Sequence, residues 1–411
     1  MTEELTGQGR AIFYGRGDDA RRIVADLDGR RTVAAILPCA NCHGRDGAGR
    51  REAEADAPAI FRGEGGLDET GMTTSGAIRP AYDLAAFVAA VTGGIGTDGR
   101  ALSKRMPRYG LQPQEAEALW HWLKALPAEQ RQGVGTGRLA FSVIAPENEK
   151  LAAAVAALLA QMASAMRPPY GMRLDFTPSG WSLREPGCPG EGALAVIAVG
   201  LDREHALLER AGECLVPVIV AFDMLAGSEA DEDLRAIRPS LADHWRALRT
   251  AAGAGAGVLA TVAPTAWEQS AISGNRLAPQ PSRNGAHAYI APLGLDRSVM
   301  PDSPAEIFAP EAASMASLEK WRRAGHEIHL SRPDIPAASR EDPRILAIAA
   351  TLALADRAVT LAGPGVTRAS FIEAFNRIDL QPAGWMRMDY ASARLTGSRA
   401  VMVVPDVTGP E

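Results

Sequence analysis

Two cysteines and a histidine within five residues, Cys39-Ala-Asn-Cys42-His43, constrain this chain more than any other feature of its sequence. In the C-x-x-C-H spacing, two thiols bond to the vinyl groups of a haem while the adjacent imidazole coordinates its iron. A zinc site would need about four ligands, but the other two cysteines are distant in sequence. A thioredoxin-like redox pair normally opens a helix, whereas residues 44–50 have the composition of a loop. The motif therefore predicts one covalent haem c, with Cys39 and Cys42 as thioether anchors and His43 as an axial ligand.

A methionine is the best candidate for the second axial ligand of that haem. Met106 lies in a loop that Pro107 and Pro113 keep extended, and the loop precedes an amphipathic helix predicted over residues 114–126. Met72 is the alternative ligand, and His121 is predicted to lie on the surface of the helix. A thioether raises the reduction potential relative to a second imidazole. Met106 is therefore predicted to complete the coordination of the iron.

Residues 1–130 resemble class I c-type cytochromes. The resemblance rests on an opening helix with the sequence GRAIFYGRG, the CANCHG site, the segment FVAAVTGGIGTDGRALSKRMPRYG and the closing helix AEALWHWLKAL. It implies an all-α domain around one haem, and an electron-transfer role without enzymatic activity. Since that family receives its haem after export, it also implies a periplasmic location, with the signal peptide absent from this numbering.

A second domain is predicted over residues 139–411, after a polar, glycine-rich linker at 131–138. Short apolar strands at 139–145, 172–177 and 193–199 alternate with helical segments, which favours a parallel sheet covered by helices on both faces. We expect two α/β lobes with a boundary near residue 263. The chain is therefore predicted to be multidomain, an all-α domain followed by a two-lobed α/β domain.

The C-terminal part of this domain resembles periplasmic binding proteins of the branched-chain amino-acid receptor type. The likeness covers residues 343–407, with the helix DPRILAIAATLALADRAV and the closing strand SRAVMVVPDV. It implies two lobes that close on a small-molecule ligand. Binding-like proteins of this kind accompany quinoprotein (PQQ) alcohol dehydrogenase systems, a setting that suits fusion to a cytochrome.

Two smaller patterns predict a disulfide and a docking surface. Cys188 and Cys214 each precede one of two successive predicted strands, so parallel pairing would bring them within disulfide reach. Around Met106, the cations Lys104, Arg105 and Arg108 form a candidate docking patch for an acidic redox partner. His326 and His329 would point to different faces of a strand, so a shared metal is not expected.

Composition and motifs together give the expected function. The net charge of −6 argues against nucleic-acid binding, and no membrane span is expected. The leading prediction is a periplasmic electron carrier between a dehydrogenase and a cytochrome or oxidase acceptor, with the second domain as a docking or ligand-sensing module. The alternative is a small-solute receptor with a redox-reporting haem. A peroxidase would need an open iron position, which Met106 would close.

Overall fold

The chain divides into two compact units in this computed structural model. The first comprises Met1–Gln132 with Thr367–Ala369, and the second comprises Gly133–Val366 with Ser370–Glu411. The structure describes residues 2–52, 55–60, 67, 70–72, 78–146, 148–179, 181, 187–201, 206–223, 225, 233–252, 257–258, 288–290, 304–310, 315–336, 341–391 and 395–406.

The helices of the first unit enclose an apolar core. They are α1 (Thr2–Phe13), α2 (Gly17–Arg22), α3 (Cys39–His43), α4 (Leu84–Val88), which continues as a π-helical turn over Ala89–Gly93, and α5 (Pro113–Gln130). α1 and α5 cross so closely at Gly9 that a Cβ atom on this residue would overlap the carbonyl oxygen of Ala118. The predicted closing helix is confirmed, and Gln112 and Glu115 form a capping box at its start.

The first unit also contains strands, so the predicted all-α fold is wrong in this respect. β1 (Val24–Leu27) pairs antiparallel with both β2 (Arg30–Val33) and β7 (Arg108–Tyr109). The hairpin turn is Asp28-Gly29, whose φ angles of 49° and 84° suit a two-residue connection. Two further two-stranded pairs are β3 (Arg50–Glu52) with β4 (Ala55–Ala57), and β5 (Gly71–Met72) with β6 (Ile78–Arg79).

A parallel sheet opens the second unit, and the predicted doubly wound arrangement is confirmed for it. The strand order β10-β9-β11-β12-β13 is one of the two common doubly wound orders, with its switch point between β9 and β11. Along β11 and β12, alternate side chains lie on opposite faces of the sheet. The side chains on one face pack in an apolar cluster with α6, and those on the other face pack in a cluster with α7, so helices cover both faces. The elements are β9 (Arg138–Ile144), α6 (Glu149–Ser164), β10 (Arg173–Pro178), β11 (Ala195–Ala198), α7 (Ala206–Cys214), β12 (Val218–Val220) and β13 (Leu234–Ala236).

The residues predicted as a linker, 131–138, contain β8 (Val134–Gly135), which pairs antiparallel with β9. A second sheet follows in the order β14-β15-β16-β17-β20, parallel except for β20, and α8 packs against it. The predicted lobe boundary near residue 263 lies outside the described residues. The elements are α8 (Leu241–Ala252), β14 (Gly257–Val258), β15 (Ala288–Ile290), β16 (Glu306–Pro310), α9 (Met315–Arg323), β17 (Glu327–Pro333) and β20 (Val401–Pro405).

The helix α10 (Pro343–Ala362) packs in the core of the second unit. Asp342 caps it by accepting a hydrogen bond from the backbone nitrogen of Arg344. By length and by a mean hydropathy of 1.8, α10 passes the criteria for a membrane-spanning helix, a property that the sequence analysis did not expect. Much of it is buried against α6 and the first sheet, as in a core helix. α11 (Arg368–Ala374), β18 (Asp379–Leu380) and β19 (Met388–Asp389) complete the chain before β20.

Candidate functional site

A largely apolar cavity of about 440 Å³ lies inside the first unit. This volume is within the usual range for sites that hold a cofactor or a drug-sized ligand. Cys39, His43 and Met106 all contribute to its wall, so the structure brings together three of the residues predicted to hold haem. Cys42 is exposed, and no disulfide joins it to Cys39. The apolar wall includes Phe13, Ile60, Phe87, Val91, Leu119 and Leu123.

His43 is oriented to present one ring nitrogen to a ligand. Its Nδ1 lies 2.9 Å from the carbonyl oxygen of Pro58, which can only accept a hydrogen bond, so Nδ1 carries the proton. Burial lowers the pKa of His43, which favours the neutral ring with a lone pair on Nε2. In metal-binding histidines, a hydrogen bond from the ring nitrogen that does not bind the metal fixes the orientation of the ring.

The short helix α3 positions this histidine and the two thiols. Pro38 precedes the helix in an extended conformation, and Gly44 follows it with a φ of 79°, which favours glycine. The Tyr14 hydroxyl donates to the carbonyl oxygen of Arg45, 2.6 Å away, and thereby ties the end of the motif to α1. Burial raises the pKa of the Cys39 thiol to about 11.

Met106 lies in the cavity wall on a loop that its neighbour Arg108 holds in place. The Arg108 guanidinium donates to three backbone carbonyl oxygens, those of Met106 at 2.6 Å and of Leu102 and Ser103 at 3.2 Å each. The guanidinium lies so close to Gly94 that a Cβ atom on this glycine would overlap it. Arg108 therefore supports the backbone of its own loop, and its membership of a docking patch stays a prediction.

The other predicted site residues of the first unit have plainer surroundings. Lys104 and Arg105 are exposed beside Met106, as a docking patch requires. His121 lies on α5 with its Nε2 4.0 Å from Glu117 and does not line the cavity. Met72 lies in β5, but its side chain is outside the described part of the chain.

A polar segment of the wall was missed by the sequence analysis. Thr97, Asp98, Arg100 and Ser103 line the same cavity. Arg100 donates from Nε to Asp98 Oδ2 at 2.7 Å, and this hydrogen bond lowers the pKa of Asp98. In sequence the segment has only the composition of a turn. Because Arg100 is paired with Asp98, the segment contributes polar groups but little net charge to the wall.

The residues present therefore fit a haem. The wall is mostly apolar, the imidazole is neutral and oriented, a thioether side chain shares the cavity, and a cysteine lines it. His43 and Met106 would serve as axial ligands, and Cys39 and Cys42 as the covalent anchors.

The second unit has a candidate ligand site at the carboxyl ends of its first sheet. Asp223 follows β12 and accepts hydrogen bonds from the backbone nitrogens of Gly200 and Leu201, which follow β11. Its Oδ2 atom is buried and has no hydrogen-bond partner among the described residues. Arg238, which follows β13, donates to the Phe222 carbonyl oxygen at 3.1 Å. In doubly wound sheets ligands bind at the carboxyl ends of the strands beside the switch point, and β11, whose following residues donate to Asp223, is one of the two strands at the switch point here.

Burial raises the pKa of Asp223 to about 6, against an opposing contribution from the backbone hydrogen bonds. Since the folded state holds its proton more tightly than the unfolded chain, Asp223 lowers stability as the pH rises from about 4 through 6. Asp223→Asn should therefore raise the free energy of unfolding by about 1–3 kcal/mol at pH 8 and by little at pH 4.

Urea unfolding followed by circular dichroism at both pH values tests this. The control is Glu191→Gln at an exposed position, for which we expect little difference at either pH. A gain for Asp223→Asn that is the same at pH 4 and pH 8 would show that burial does not perturb this carboxyl group.

Cys188 and Cys214 are joined by a disulfide in the structure, with their Cα atoms 5.9 Å apart. Cys214 ends α7 and is buried, and Cys188 lies in the loop before β11. Because β11 and β12 are parallel neighbours, the segments that lead into them lie side by side.

Comparisons with known proteins give distant likenesses only. The chain matches no protein-family model and no curated protein. Among solved structures, it is similar to a possible leucine/isoleucine/valine-binding protein from Rhodopirellula baltica SH 1, with 14% identity, 65% of this chain and 94% of that chain covered, and a TM-score of 0.44. It is also similar to a fatty acid ABC transporter substrate-binding protein from Thermomonospora curvata, with 12% identity, 66% and 89% covered, and a TM-score of 0.45. An ABC transporter substrate-binding protein from Desulfitobacterium hafniense shows 10% identity, 66% and 98% covered, and a TM-score of 0.46.

Proposed function

We propose that this protein is a mono-haem c-type electron carrier. The observation that carries the proposal is the cavity in whose wall Cys39, Met106 and an oriented, neutral His43 come together. A bound haem would supply one-electron chemistry between ferrous and ferric iron. The apolar wall would exclude water from it, and a thioether ligand would favour the reduced form relative to a second imidazole.

The proposal includes partners and a location. We propose a dehydrogenase as donor, such as a quinoprotein alcohol dehydrogenase, and a cytochrome or oxidase as acceptor. Lys104 and Arg105 are exposed beside Met106 and suit an acidic partner, for which charge raises the association rate more than the affinity. Covalent haem attachment through both cysteines is typical of proteins that mature in the periplasm, and we place the protein there.

A second candidate function belongs to the second unit, which we propose binds a small solute. Its support is the buried Oδ2 of Asp223 at the carboxyl edge of the first sheet, which has no hydrogen-bond partner in the described part of the chain. A carboxylate in that position suits a ligand with an ammonium or another hydrogen-bond donor. In this arrangement the protein is a solute receptor, and the redox state of its haem reports or alters ligand binding.

Carbon monoxide distinguishes an electron carrier from a haem enzyme. Two protein ligands leave no open iron position, so the visible spectrum of the reduced full-length protein should not change when carbon monoxide is added. Rapid, complete formation of a carbon monoxide complex would instead support a haem enzyme. For the second unit, a thermal-shift screen of small amines is suitable, since a ligand at about 100 times its Kd adds about 2.7 kcal/mol of stability.

A further inference from the structure

Three potential metal ligands meet on the second sheet of the second unit. Glu306 begins β16, and Glu327 begins β17 directly opposite it in the parallel register. His329 lies two residues after Glu327 and therefore on the same face of the strand. One donor atom from each residue lies within 4.8 Å of the other two, a separation that a single bound ion can bridge.

The imidazole of His329 is held in place, and its Nε2 atom has no hydrogen-bond partner among the described residues. Its ring stacks on Phe308, with centroids 4.6 Å apart and an interplanar angle of 12°. Its Nε2 atom is buried and makes no hydrogen bond within the described residues, and the nearest carboxylate oxygen, on Glu327, is 3.6 Å away. A buried imidazole nitrogen without a partner is costly unless something binds it.

Among the described residues, the two carboxylates are also not paired with a lysine or arginine. Like charges directly opposite each other on neighbouring strands are destabilising, and in the described ranges neither Glu306 nor Glu327 forms an ion pair with a lysine or arginine. The nearby carboxylates differ, because Asp406 pairs with Arg322 and Glu319 pairs with Arg323. A divalent cation would remove the repulsion and occupy the free nitrogen at the same time.

We propose that Glu306, Glu327 and His329 bind a divalent transition-metal ion of the zinc class. An imidazole together with carboxylates suits Zn²⁺, whereas Ca²⁺ and Mg²⁺ take oxygen ligands only. Three protein ligands leave a fourth coordination position for water.

Equilibrium dialysis of the full-length, haem-loaded protein against ZnCl₂, with metal counted by mass spectrometry, tests the proposal. Haem attachment occupies the Cys39 and Cys42 thiols, which removes a competing site. We expect one more Zn²⁺ per chain in the wild type than in His329→Gln. Glu327→Gln, at an exposed position, should weaken binding by about tenfold or more.

The matched control is His121→Gln, which also removes an imidazole beside a glutamate but on α5 of the first unit. It should retain wild-type binding, and excess Ca²⁺ should not displace the Zn²⁺. Equal Zn²⁺ content and affinity in wild type, Glu327→Gln and His329→Gln would overturn the proposal, as would displacement by Ca²⁺.

Discussion

Replacing Arg108 by glutamine is expected to lower the free energy of unfolding by about 2–4 kcal/mol and, in the proposed haem site, to release Met106 from the iron in a large fraction of molecules. The guanidinium donates to the carbonyl oxygens of Leu102, Ser103 and Met106. Hydrogen bonds with a charged donor contribute about 1.5–3 kcal/mol each, and their sum is reduced because one side chain makes all three. Glutamine is too short to reach them together.

Two measurements on the haem-loaded protein check this result. Denaturant unfolding gives the loss of stability, and the long-wavelength charge-transfer band of ferric haem with a methionine ligand reports the sulfur–iron bond. Lys104→Gln is the control, since it removes a positive charge from an exposed position of the same loop. If Arg108→Gln retains both the band and the stability of Lys104→Gln, Arg108 does not position Met106.

Removal of the Cys188–Cys214 disulfide is expected to cost about 3 kcal/mol of unfolding free energy in the second unit. The two cysteines are separated by 26 positions, and cross-linking a loop of this length restricts the unfolded chain. The Cα separation of 5.9 Å falls in the normal range, so the bond forms without backbone movement.

Denaturant unfolding with and without a thiol reductant measures this cost, with circular dichroism as the probe. The wild type should lose about 3 kcal/mol when reduced. The double variant Cys188→Ala and Cys214→Ala should be destabilised already and should not respond to reductant. A wild-type protein equally stable in both conditions would rule out a contribution from this bond.

Local sequence patterns were sufficient to predict much of the fold. α5 and α10 carry apolar residues at helical spacing, and both occur where that spacing predicts them. β9 and β11 are short apolar runs, as expected for strands buried on both faces. The hairpin of β1 and β2 was missed, although Asp28-Gly29 is a recognised turn signal, because the two flanking strands do not alternate apolar and polar residues.

The candidate sites were predictable only where their residues are close in sequence. Cys39, Cys42 and His43 are adjacent, so their spacing alone indicates the chemistry. The bond between His43 and the Pro58 carbonyl depends on how a loop folds back, and no residue pattern records it. The meeting of Glu306 with His329 likewise depends on strand register, which sequence specifies only through long-range packing.

The same limit applies to Arg108. In sequence it is one of three cations around Met106, and nothing separates it from Lys104 and Arg105. In the structure it lies in β7, half-buried, so its side chain is directed at the loop carbonyls instead of solvent. The burial of a charged residue decides whether it contacts a partner or supports its own loop, and a single sequence does not show that burial.

The most direct measurement is whether haem remains on the polypeptide after denaturation. The full-length chain should be produced in a periplasm with haem-attachment machinery, unfolded, extracted with acidic organic solvent and assayed by intact mass and by the haemochrome spectrum in pyridine. We expect one haem per chain to resist extraction, and Cys39→Ala combined with Cys42→Ala to lose it completely. Haem that is extracted from the wild type, or a chain that acquires none, would contradict the assignment of Cys39, Cys42 and His43 as a haem c site.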